Sequence, residues 1–137
     1  MNFDLAKMEQ DRGATFRVVV GRTPDGAEAG FVVVGPNSAE YEQADRKIQV
    51  MNIMEAGQRR RMVDAADPKD AEAIAEGAQK RKLLLVESCV VGWFGITDNG
   101  QDVPYSVEAL RRLLKVRPTF VSRVIEAIEN EANFSAG

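Results

Sequence analysis

The 137-residue chain contains no histidine and only one cysteine, Cys89. Without histidine it lacks the usual general base near neutral pH and the commonest metal ligand. Serine–histidine, cysteine–histidine and zinc–histidine sites are therefore excluded, and any catalysis would have to come from carboxylates or lysines. A single cysteine cannot form an internal disulfide, which suits a reducing compartment. An excess of positive charge is also missing: 18 basic residues stand against 21 acidic ones, a net charge of −3. Such a balance gives no general attraction to nucleic acid or anionic lipid. The longest apolar run, Leu83 to Ile96, is interrupted by Glu87 and falls short of the ~20 residues of a membrane span. The opening MNFDLAKMEQDR has no basic start followed by an apolar segment, so no signal peptide is expected. These absences describe a soluble protein without an obvious reactive centre.

What is present suits one domain, long enough to bury a core without disulfide or metal. The chain is organised around Leu83–Ser106, LLLVESCVVGWFGITDNGQDVPYS, which holds the only tryptophan, Trp93, and the only cysteine. Its apolar part reads as the second half of a helix that begins at the cap Asp67-Pro68 and frays at Gly92 and Gly95, around Trp93-Phe94. Upstream, residues 1–14 read as a polar lead-in, extended or partly ordered. Two β-branched runs, Thr15–Gly21 and Gly30–Gly35, flank Pro24-Asp25-Gly26 and predict a β-hairpin. Ser38 reads as a helix N-cap, and Tyr41, Ala44, Ile48 and Met51 recur at helical spacing, with Val50 and Met54 widening the stripe. That helix is expected to end near Val63. Asp98-Asn99-Gly100 predicts a turn, Ser106 a cap for a short helix, and Arg117-Pro118 a break before a last helix carrying Val121, Val124, Ile125, Ile128 and Ala132. Residues 134–137 read as a frayed tail. The expected fold is α+β, mainly α: lead-in and hairpin over 1–37, then a helical region over 38–137 with about four helices, packed with the hairpin as one compact unit.

The residues that could carry chemistry each have a plainer reading. Arg59-Arg60-Arg61 and Lys80-Arg81-Lys82 sit where a helix dipole favours cations. Asp98 to Asp102 imitates a calcium loop, but its glycine comes too early and no glutamate closes it. Cys89 lies among valines with no histidine to activate it, so it reads as an inert buried thiol. Glu126, Glu129 and Glu131 read as the wet side of an amphipathic helix. Ser106–Asn133 imitates a helix-turn-helix, but residues 101–137 carry five basic and five acidic groups, a poor match to phosphate. The hairpin, which is marginal alone, leaves strand edges at Val18–Val20 and Phe31–Val34 for pairing with helices or another chain.

Three places together resemble the tail assembly chaperones of long-tailed (non-contractile tail) bacteriophages. They are FDLAK (Phe3–Lys7) ahead of the Pro-Asp-Gly hairpin, GPNSAEY (Gly35–Tyr41) opening a long helix, and VVGWFGITDNGQDVPYSVEALRRLL (Val90–Leu114). Phe134 near the end also fits, while residues 58–79 carry no matching motif. The resemblance implies a non-enzymatic protein of the host cell cytoplasm, absent from the mature virion. It implies that the protein binds the tape measure protein, helps recruit tail tube protein, and self-associates as a homo-oligomer. No cofactor, metal, nucleic acid or membrane is expected. Helix-in-groove binding suits methionine, which is flexible and polarizable, and Met51, Met54 and Met62 fall on the first long helix. Met51, Met54, Trp93 and Phe94 are the expected contact residues. The competing expectations are a small helix-turn-helix regulator and a structural tail subunit.

Overall fold

A computed structural model describes residues 4–59 and 68–135. The α+β, mainly helical architecture expected from the sequence is what it has. A three-stranded antiparallel sheet in the order β1-β2-β3 is built from Thr15–Arg22, Glu28–Val34 and Val90–Phe94. Four long helices follow the hairpin: α2 (Ala39–Arg59), α3 (Pro68–Cys89), α4 (Val107–Val116) and α5 (Thr119–Glu129). A short helix α1 (Leu5–Asp11) precedes β1, and a second hairpin, β4 (Thr97–Asp98) with β5 (Gln101–Asp102), lies between β3 and α4. The expected helix end near Val63, the Asp67 cap, Phe3, Met62 and the side chains of Arg59 to Arg61 lie outside the described residues.

Four local expectations are corrected. Within the lead-in, Leu5–Asp11 is helical: the Asp4 carboxylate accepts the Ala6 N–H at 3.2 Å and starts α1. The α3 helix does not continue to Trp93-Phe94: it stops at Cys89, and Val90–Phe94 becomes a strand. Two valines, a glycine and two aromatics suit a pleated surface better than a helix, and the strand supplies the partner that β2 needs on its second edge. The β2 edge is accordingly closed, with Val18 and Trp93 on either side of Phe31. Finally, the tail is not frayed at Phe134. A 3-10 turn over Glu131–Phe134, capped by Asn130, buries that ring against Gly35 and edge-on to Phe16, with centroids 6.3 Å apart.

The core lies between one face of the sheet and helices α3, α4 and α5. Side chains alternate across a strand, so Phe16 and Val18 of β1 and Phe31 and Val33 of β2 face the helices. Phe31, Val33, Val86, Cys89, Leu110, Val124 and Ile128 are fully buried. Phe31 meets Phe120 of α5 edge-to-face, with centroids 6.2 Å apart. Both serine caps form as expected. Ser38 Oγ accepts the Tyr41 N–H and donates to Gly35 O, and Ser106 Oγ accepts the Ala109 N–H. Asn99 (φ 51°) and Gly100 (φ 82°) make the tight turn of the second hairpin.

Candidate protein-binding surface

The two longest helices, α2 and α3, pack against each other along the Tyr41, Ala44, Ile48, Met51 and Glu55 stripe of α2. Burial fades along the pair. Ala44 is fully buried and Leu85 and Val86 are in the core, but among the described residues none from Gln49 to Gly57 or from Lys69 to Lys82 is buried. Contact farther out is kept by Gly77, where a Cβ would stand 2.7 Å from Glu55 Oε1. An ion pair between Arg81 and Glu55, largely shielded from solvent, holds the same level.

The opposite side of this outer half carries a distinct feature. Val50, Ile53 and Met54 are 55%, 73% and 65% exposed, and their i, i+3, i+4 spacing makes them neighbours on one helix face. Arg46 and Lys47, also exposed, lie one turn nearer the body. Together they form an apolar helical patch open to solvent with a basic margin.

The four expected contact residues are divided between two elements. Met54 lies in the patch, whereas Met51 turns toward α3 and is half-buried. Trp93 stands edge-to-face with Tyr105 at 5.3 Å, and its indole N–H donates to Val103 O at 2.8 Å. It walls a cleft of about 170 Å³ with Ile96, Val103, Leu113 and Val116, which the Arg112–Asp98 pair, 3.1 Å apart, also lines. Phe94 points to the other face of the sheet, beneath the Arg17 guanidinium at 4.0 Å. Ile53 escaped the sequence reading, and Val50 was read as widening the packed stripe. At 100° per residue both fall well away from Ala44 and Ile48, so their angle was the available signal.

The other candidates are accounted for structurally. Cys89 is buried, and burial first, then the charge of Glu40, pushes its thiol up to about 12 from an ordinary 9.0. The folded thiol thus keeps its proton where the unfolded one loses it. Its contribution to stability is full below pH 9 and is lost as pH rises toward 12. Native protein should be inert to a thiol reagent at mildly alkaline pH and react fully in denaturant; rapid native labelling would contradict the burial. The helix that would read DNA, α5, buries Val121, Val124 and Ile128 in the core and leaves Ser122, Arg123, Glu126 and Glu129 outward. Among the described residues no group of three or more acidic or cysteine side chains is placed to hold a metal ion, and no helix is long and apolar enough to cross a membrane.

The chain is thus a two-layer α+β domain with an apolar patch exposed on its first long helix. The chain belongs to the YdaY prophage protein family, whose model matches residues 37–137, from the turn before α2 through the 3-10 segment. It is a phage-derived protein. No curated protein and no solved structure matches it.

Proposed function

We propose that this phage-derived protein is a tail assembly chaperone that binds the tape measure protein and helps recruit tail tube protein during tail morphogenesis in the host cytoplasm. The observation that carries the reading is the outward Val50, Ile53 and Met54 patch, on a helix half that the core does not use. The resemblance implies a long helical client, and an amphipathic client helix has an apolar face to cover. A chaperone for it needs apolar surface on each of several copies, not a concave pocket. Burial of these side chains by a client helix would contribute about 25 cal/mol for each Å² of apolar area removed from water. The likeness of Gly35–Tyr41 and Val90–Leu114 to tail assembly chaperones supports the same reading.

Coexpression with the long helical protein encoded beside it tests the proposal. The client is expected to be soluble only with the wild-type chaperone and to copurify with it. The combined variant Val50→Ser, Ile53→Ser, Met54→Ser should keep its thermal midpoint and circular dichroism but lose at least tenfold in complex recovered. A wild-type protein that leaves the client insoluble overturns the function; an intact variant that still rescues it overturns the surface.

A further inference from the structure

The sheet's first strand has one side without a neighbouring strand, and that side opens on a groove. β1 is terminal in the order β1-β2-β3, and α5 forms the opposite wall. The groove, about 450 Å³, is lined by Phe16, Val18, Arg123, Glu126, Ala127 and Asn130, with Arg17 at its rim. Its backbone polarity can be read directly. The Arg123 guanidinium donates to Val19 O at 3.0 Å and to Val20 O at 3.1 Å, so these carbonyls face away from β2. The next carbonyl back, Val18 O, faces β2: a Cβ on Gly30 would lie 1.8 Å from it. Groups two residues apart in a strand point the same way, so the N–H and C=O of Arg17 also face the groove.

We propose that this groove takes an extended, acidic segment of another polypeptide as an added strand beside β1. Main-chain groups of Arg17 and Val19 supply the pairing, and α5 supplies the second wall. Side-chain chemistry sets the preference. Toward the core side the guest meets Phe16, Val18 and Ala127, which favour small apolar side chains. Toward the outer face it meets Arg17, whose exposed side chain rests over Phe94 across the sheet and can swing back to a carboxylate directly opposite. Arg123 adds a second cation against the single carboxylate of Glu126, so the groove is basic on a chain of net charge −3. Arg123 is exposed at the surface and covers the last carbonyls only through its side chain, so it can move to the guest's carboxylate. A second copy of this chain is a poorer occupant, because antiparallel β1–β1 pairing about this edge would set Arg17 against Arg17. This site lies apart from the α2 patch and does not rest on the tail-assembly reading.

A fluorescein-labelled peptide, acetyl-Thr-Val-Glu-Val-Glu-Val-Thr-amide, tests it by anisotropy with the full chain. Saturable binding is expected, with amide shifts at Thr15–Val19 and Arg123–Asn130 in nuclear magnetic resonance spectra. The same peptide with lysines for glutamates should bind at least tenfold more weakly. Arg17→Glu should reverse that preference while the protein keeps its thermal midpoint. Two peptides N-methylated on alternate residues separate strand addition from plain charge attraction: one set should abolish binding and the other leave it unchanged. Equal binding by both sets, no binding by the parent peptide, or shifts only at the α2 patch would overturn the proposal. So would a concentration-dependent dimer whose formation protects the β1 amides.

Discussion

Replacing Phe31 with alanine is expected to remove about 3–5 kcal/mol of stability, the largest loss from any single truncation in the core. The side chain is fully buried on the central strand, flanked by Val18 and Trp93 in the ladder and met edge-on by Phe120. It therefore joins sheet to helix layer, and the space it leaves is walled by elements that cannot close over it together. A domain of this size has about 5–15 kcal/mol in total, so the variant should unfold at a much lower urea midpoint. Val19→Ala, on the solvent side of β1 and 38% exposed, should cost less than about 1 kcal/mol and serves as the reference. Equal midpoints for the two variants would mean that the sheet-to-helix interface is not the core.

The second large effect is expected at a residue with no side chain. Gly30 is buried opposite Val19, at the point where β1 carries one extra residue, Val20, before the pairing resumes at Gly21. An added Cβ would meet Val18 O at 1.8 Å and Val19 Cα at 3.0 Å, both backbone atoms that cannot turn aside. Gly30→Ala should force the two strands apart and cost at least the upper end of the ~1–3 kcal/mol of ordinary overpacking. Gly92 is the control, because it lies in β3 opposite Val32 and an added Cβ would find its nearest neighbour at 3.9 Å. Gly92→Ala should be neutral within about 0.5 kcal/mol in the same denaturation experiment. If both glycines tolerate alanine equally, the bulge is not the reason for Gly30.

The elements that could be read from the sequence are those with a local signal. Pro24-Asp25-Gly26, Ser38, Asn99-Gly100, Ser106 and Pro118 each act through their own backbone preference or hydrogen bond, and each stands where the pattern puts it. Val90–Phe94 was misread because an apolar run of this length fits a buried helix or a buried strand equally well. Only the need of β2 for a second neighbour, more than fifty residues earlier in the chain, decides it. Phe134 was assigned to a tail for the same reason: its partners, Gly35 and Phe16, are remote in sequence. The outward α2 patch was half legible. Met54 is among the expected contacts, whereas Val50 and Ile53 are not, although their angle on the helix sets both apart from Ala44 and Ile48.

The fading of burial along α2 and α3 has a further consequence. Near Leu85 the pair is anchored in the middle of the molecule, whereas around Ile53 and Gly77, among the described residues, each helix has chiefly the other for support. Opening there disrupts few contacts, so this end can adjust its shape while the sheet and α5 stay intact. On the proposed function, a tip of that kind would accommodate successive turns of a repetitive guest without any change of sequence, as a hand shifts its hold along a rope.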